Sequence, residues 1–447
     1  MSNQSQGGTG KQRQLFESAM NELPFDPADA KTALGQLPRE AAVFALYGAD
    51  ERAEPYIGRT PNLRGRLERL LQPSVKHPKR LQLAGRVRRI AWQLTGSEFE
   101  SLLLQFSLLE RIYGAKACER MHLRAPAFVR FLGSNAYPRV VVTHRPSLRE
   151  SDWAYGPFQS RAAAERYVDE ALKLFLLRRC TDDLNPDPAF PGCVYSEMKM
   201  CLAPCFKGCT DERYSDESNA VEQFLATRGE SRLVTLKTQR EQASADLEFE
   251  TAASLHAQVQ RVESVRALAG ELVRPMSRLK ALILHPAANA DEVAIFMYEL
   301  GSLRGPMSFS TIGMRIQNEQ SGSTSLFAQP MALEPVPEEQ GIGTGGQGIE
   351  TQGTGISDQR SAKAHRTMLE TRLEELLTTL SAQQPPPSAT ERQGHLALLK
   401  RWYYRPEAKR TGEIFFRDAD GHWPIRPILR GIGRVAAKTM TPPPSPS

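Results

Sequence analysis

Five of the six cysteines lie at positions 180, 193, 201, 205 and 209 of a 447-residue chain. Thiols crowded this closely restrict how the flanking segments can face each other. The apolar runs, such as 101–109 and 171–177, fall far below a bilayer span, and no secretory leader accompanies the cysteines. A disulfide framework is therefore a poor explanation, and the chain is expected to be soluble and cytoplasmic. In a reducing compartment, soft thiolates gathered in one stretch hold zinc or an iron–sulfur cluster. Twelve, seven and three residues separate Cys180, Cys193, Cys201 and Cys205, which is not the paired Cys-x-x-Cys of zinc ribbons. Cys209 could replace Cys205 as a ligand, and some of the thiols could simply be buried.

The flanks read as a mixed α/β (α+β) chain. Residues 1–36 are expected to be largely disordered, with one short helix over 26–37. Ala41–Leu46 is apolar and reads as a buried strand, turn residues follow, and Pro55–Gly58 starts a second strand. Thr60 and Asn62 then cap a helix whose apolar face is Leu63, Leu67, Leu70 and Leu71. Its other face carries Arg64, Arg66 and Arg69, with Arg59 just before it. Net charge is only +6, yet eleven Arg or Lys stand against two Glu between Arg52 and Ile90. That local excess points to a polyanion more firmly than the total does. A strand over 87–94 and a helix over 97–113 follow, then strands over 128–132 and 140–143 and a helix over 161–179.

The hairpin and helix, VFALYG…PYIGRTPNLRGRL, resemble the N-terminal GIY-YIG nuclease domain of the UvrC family of bacterial excinucleases. The cysteines, ending in Cys201-Leu202-Ala203-Pro204-Cys205, look like the set that follows that domain in the family. Leu247-Glu248-Phe249-Glu250-Thr251-Ala252-Ala253 resembles the UVR motif, a helical hairpin through which the family meets its partner UvrB. The resemblance divides the chain into a GIY-YIG-like domain (37–125), a linker with the cysteine cluster (126–215) and a UVR-like hairpin (216–270). A small antiparallel β region (271–316), a flexible linker (317–360), a helical C-terminal region (361–438) and a disordered tail (439–447) complete it.

The family's chemistry cuts a phosphodiester with one divalent metal on a single Glu, a Tyr that helps make the hydroxide, and cations on the phosphate. Carried onto this chain, the resemblance gives Tyr56, Arg59 and Arg66 as the catalytic positions that persist. The first tyrosine position falls on Phe44 and the metal glutamate on Gln105. Rival ligands for Mg2+ or Mn2+ are Glu100 and Glu110; Glu98 lies two turns from Gln105. Arg59, Arg64, Arg66 and Arg69 remain for DNA. The resemblance makes Cys180, Cys193, Cys201 and Cys205 ligands of an iron–sulfur cluster, with zinc as the alternative. It makes Leu247, Phe249, Glu250, Ala252 and Ala253 the partner-binding surface for a UvrB-like protein. Past residue 416 the family continues into a second nuclease domain, which is expected to be missing here. Three readings follow: a DNA-binding repair protein with a weak or inactive nuclease, an active endonuclease making one incision, and a scaffold acting through the hairpin. Plainer readings of single residues stand beside these. Tyr56 serves as well in a core, an arginine-rich helix can be a solvated face, and a hairpin can pack only internally.

Overall fold

The computed structural model describes residues 20–50, 53–72, 83–181, 184–312, 314, 354–382, 386–418 and 420–440. Of the segment 1–36 expected to be largely disordered, residues 1–19 lie outside these residues, as do most of the 317–360 linker and the tail from 441, whereas Asn21–Pro24 forms a strand and Ala30–Gly35 a helix. Three small antiparallel sheets carry the chain, so the fold is mixed α/β.

The first module runs β1 (Asn21–Pro24), α1 (Ala30–Gly35), β2 (Ala42–Gly48), β3 (Tyr56–Thr60), α2 (Leu63–Leu71), β4 (Val87–Leu94), α3 (Glu98–Tyr113) and α4 (Ala117–Arg120). Its sheet order is β1-β4-β2-β3. Strand β1 falls in a segment expected to hold no strand, yet its Leu23 pairs with Ile90. An edge strand reading Asn-Glu-Leu-Pro shows no apolar alternation, and its proline is tolerated because one side of an edge needs no donor. The Asn62 side chain caps α2 by accepting the Gly65 N–H at 2.8 Å. Ser97 caps α3 by accepting the Glu100 N–H at 3.1 Å. Pleating divides the sheet: Ala42, Phe44 and Leu46 meet α1 and α2, while Val43 and Ala91 meet Leu104 and Leu108 of α3.

The second module holds β5 (Ala127–Phe131), β6 (Val140–Thr143), β7 (Ala154–Phe158), α5 (Arg161–Ala171), α6 (Val194–Glu197), α7 (Asp211–Ala226), α8 (Glu230–Ala245), α9 (Phe249–Ala267) and β8 (Arg274–Pro275). The sheet runs β6-β5-β7-β8, and one core joins it to α5, α7 and the bases of α8 and α9. Helix α5 was expected to reach Arg179. It ends at Ala171, and after a single 3-10 turn over Leu172–Leu174 the chain leaves helical geometry at Phe175. Leu176 then donates its N–H to Glu217 of α7 at 2.6 Å, a tertiary bond that local periodicity cannot reveal. Helix α7 begins before residue 216, so three consecutive helices stand where two were expected.

The third module comprises β9 (Ala281–Pro286), β10 (Glu292–Glu299), β11 (Ser302–Ser310), α10 (Thr354–Ser381), α11 (Ala389–Tyr403), β12 (Glu413–Phe416) and α12 (Ile425–Met440). Its sheet order is β11-β10-β9-β12. Leu300 and Gly301 both take positive φ and form a two-residue hairpin loop between β10 and β11. The region 361–438 is not wholly helical: Ile414 and Phe415 pair with Ile283 and Leu282 and add a fourth strand. Helix α10 begins within the expected linker, at Thr354, and α12 extends to Met440, into the expected tail. Leu369, Leu373, Leu376 and Leu377 of α10 are buried, whereas Met368 is 56% exposed.

Helix α3 ties the first module to the third. Its Phe99, Leu102, Leu103, Phe106 and Leu109 share one core with Ile283 and Phe296 of the third sheet and Leu396, Leu399 and Trp402 of α11. Two contacts show how closely the surfaces meet. A Cβ on Gly394 of α11 would fall 2.0 Å from the Phe106 ring, and one on Gly96 would fall 2.0 Å from the Ala287 carbonyl carbon. Among the described residues, no helix is long and apolar enough to cross a membrane.

Candidate nucleic-acid face and thiol cluster

Strand pleating separates residues that the sequence placed in one set. Tyr56 pairs with Leu46 and Phe44 with Gly58, so both aromatics lie on the α2 side, their ring centroids 6.1 Å apart. Phe44 is fully buried and Tyr56 half-buried. A Cβ on Gly58 would come within 2.7 Å of the Phe44 ring, so glycine is what admits a large aromatic across the strand pair. Arg59 pairs with Val43 on the other face and reaches Glu98 of α3, Nη1 to Oε1, at 3.4 Å. Tyr56 and Arg66 therefore stand with α2, while Arg59 stands with α3 and Gln105.

The basic residues differ in what they do. Arg64 donates from Nε to the Leu37 carbonyl at 2.6 Å and braces the start of α2. Arg69 is exposed and donates back to the Gly65 carbonyl at 2.9 Å, and Arg66 is half-buried on the same helix. Part of the basic stretch, 73–82, lies outside the described residues.

Every carboxylate on α3 already has a partner. Glu98 accepts from both terminal nitrogens of Arg405, at 2.8 and 3.0 Å, and also pairs with Arg59. The Arg405 hydrogen bonds, reinforced by the charges of Arg405, Arg59 and Arg401, hold its carboxyl below the usual range. Glu100 is buried and accepts the Gly96 N–H at 2.8 Å. Glu110 accepts the Ser388 hydroxyl at 3.0 Å. Sequence spacing could not reveal the role of Glu98, because its main partner lies 307 positions away.

Four of the thiols form one electrostatic group. Burial pushes Cys201 up to about 11, and the charges of Cys180, Cys193 and Cys205 add to the effect. Cys205 is raised by burial and by Cys193 and Cys180, whereas Cys193 is lowered, chiefly by the Ser196 backbone N–H. Cys209 stands apart: it packs on the middle-module core, and its charged neighbours are Asp211 and Arg213. The backbone is shaped to aim N–H groups at sulfur. Ala203 takes φ +57°, and its N–H lies 3.1 Å from Cys201 Sγ. The Asp187 N–H donates to the Cys205 carbonyl at 2.9 Å, tying the segment before Cys193 to the Cys205 backbone. Thiols that raise one another's pKa are suited to a cationic centre, which relieves the repulsion while N–H donors steady the sulfurs. Among the described residues, no three of these sulfurs lie within 4.8 Å of one another.

The hairpin of α8 and α9 turns through a left-handed Leu247 at φ +61°. The Glu248 N–H donates to the Ala243 carbonyl at 2.8 Å and the Leu247 N–H to Ser244 at 3.2 Å, which closes the end of α8. Leucine at that position is strained relative to glycine, and its side chain gains no burial in return. Leu247 is 71% exposed and Phe249 68%, while Glu250 and Ala253 are exposed and Ala252 half-buried.

Fold and site together define a modular protein: an α/β layer with basic residues, a middle domain gathering four thiols, and a helical hairpin with an apolar tip. Residues 128–224, which include all four thiols, match the UvrC/Cho excinuclease middle domain. The chain is 31% identical over 242 residues to the UvrABC system protein C of Alcanivorax borkumensis, covering 54% of this chain and 39% of that protein. The namesake from Aliivibrio fischeri is 27% identical over 239 residues, covering 53% and 39%. That of Ruegeria sp. is 25% identical over 296 residues, covering 64% and 46%. No solved structure matches the chain. The chain is similar to proteins of the UvrC family over about half of its own length, and it spans less than half the length of these relatives.

Glu100 gives the junction between the first and third modules a pH signature. Burial raises its carboxyl from 4.5 to about 7, and the Gly96 N–H opposes the rise. The folded chain therefore keeps this proton after the unfolded chain has lost it. The contribution of Glu100 is most favourable below about pH 4.5, worsens as pH rises toward 7, and is constant above, a total of about 3 kcal/mol. Glu100→Gln, which can still accept from Gly96, is expected to unfold at higher urea concentration than the parent at pH 8, with the advantage gone near pH 4.5. An advantage that does not change with pH would contradict this origin.

Proposed function

We propose that the chain is a DNA-binding protein of nucleotide excision repair whose first module is a GIY-YIG-type domain with little or no endonuclease activity. The state of α3 carries this reading. Gln105 stands where the resemblance puts the metal glutamate, and Glu98, Glu100 and Glu110 are each engaged elsewhere. Magnesium and manganese need anionic oxygen ligands, and a neutral amide is a poor substitute. The first tyrosine position is a buried Phe44 without a hydroxyl. Phosphate contacts ask only for cations near the surface, and Arg59, Arg66 and Arg69 supply them.

Two further elements complete the proposal. The exposed Leu247 and Phe249 are suited to docking on a UvrB-like protein, since a hairpin tip of this size gains burial only from a partner. Cys180, Cys193, Cys201 and Cys205 would hold an iron–sulfur cluster, which when bound supplies electron-transfer chemistry. Zinc held by the same four thiolates is the alternative.

Incubating the full chain with lesion-bearing duplex, Mg2+ or Mn2+, UvrA and UvrB should give salt-sensitive DNA binding without nicks. Metal-dependent nicking that disappears in Tyr56→Phe or Arg66→Ala would overturn the inactive reading. Absence of DNA binding at low salt would leave the hairpin scaffold. For the thiols, anaerobically purified protein should carry iron and visible absorbance that Cys201→Ser abolishes and Cys209→Ser keeps. Stoichiometric zinc would sink the cluster.

A further inference from the structure

Glu98 draws together cations from opposite ends of the chain. Arg59 reaches it from β3, and Arg405 grips it with both terminal nitrogens from just beyond the end of α11. Arg401, one turn earlier on α11 and exposed, is close enough for its charge to act on the same carboxylate. The cationic surface extends further, because Arg124, after α4, acts in the same way on Lys400. Glu98 itself is exposed, so water and larger anions reach the spot.

A carboxylate held by a guanidinium fork occupies the geometry that a phosphate oxygen pair takes in the same fork. Three arginines around one exposed carboxylate leave an excess of two positive charges at that point. We propose that Arg59, Arg401 and Arg405 form a phosphate subsite for a DNA backbone, spanning the first and third modules, in which Glu98 is an internal anion that DNA displaces. The subsite rests on the DNA-binding reading above and extends it to α11, a helix outside the nuclease-like module. It also gives the tight α3–α11 junction a use, since the cations keep their spacing only while the two modules stay docked.

The test is the salt dependence of binding to a short lesion-free duplex, read by fluorescence anisotropy on the full chain. Each phosphate contact contributes about 0.9 to the slope of log affinity against log salt concentration. Glu98→Gln is expected to bind more tightly at low salt with a steeper slope, and Arg401→Ala to lower the slope by about 0.9. Arg401 is exposed, so this variant tests the subsite even if weakening the Arg405–Glu98 bridge loosens the junction. If both variants keep the parent's affinity and slope while Arg66→Ala lowers them, DNA binding stands and the α11 subsite is overturned. If the parent does not bind duplex at low salt, the DNA reading falls and takes the subsite with it.

Discussion

The burial of α3 on two sides is the constraint from which the rest of the architecture follows. Leu104 and Leu108 face the first sheet, while Phe99, Leu102, Leu103, Phe106 and Leu109 face the third sheet and α11. A helix apolar around most of its circumference has to be covered on both sides. Gly394 and Gly96 mark where the covering surfaces come too close for any side chain. The cost falls on the helix's polar residues: Glu98 is drawn to Arg405, Glu100 turns inward to Gly96, and Glu110 meets Ser388. A helix offering a carboxylate to solvent could not be enclosed in this way without finding that carboxylate a partner.

The same enclosure connects charge to architecture. With α3 fixed against α11, cations from β3 and from the end of α11 meet at one carboxylate, which no single module would bring about. The thiol group is organised independently, by the path of the chain around the second sheet. Leu202 donates its N–H to the Leu176 carbonyl, and Asp187 donates its N–H to the Cys205 carbonyl. The stretch that matches the UvrC/Cho middle domain, the four gathered thiols and the exposed hairpin tip thus lie together in the middle of the chain, while Phe44 and Gln105 lie in the module enclosed by the third.

Local patterns made much of this legible. The cap at Asn62, the β4 strand and the α3 helix follow from residue type and spacing, because short-range hydrogen bonds decide them. What could not be read depends on distant partners. Strand β1 exists because β4 offers it a ladder, and β12 because β9 does. Helix α5 stops where Glu217 captures the backbone. Four of the five clustered cysteines could be assigned to one group by resemblance, but only the packing of Cys209 against the core separates it from Cys205. The set of Tyr56, Arg59 and Arg66 looked contiguous along the chain, yet strand parity sends Arg59 to the opposite face. Leu247 and Phe249 were identified from a motif, and their exposure is what makes them suited to a partner.

The proposed function has a first module that offers cations without a seat for a divalent metal. Titrating Mn2+ into the full chain, followed by the electron paramagnetic resonance signal of the free ion, addresses this without requiring a substrate or partner. No stoichiometric Mn2+ site that depends on α3 is expected, so Glu98→Gln and Glu100→Gln should leave the titration unchanged. One Mn2+ bound per chain and released by either substitution would contradict it.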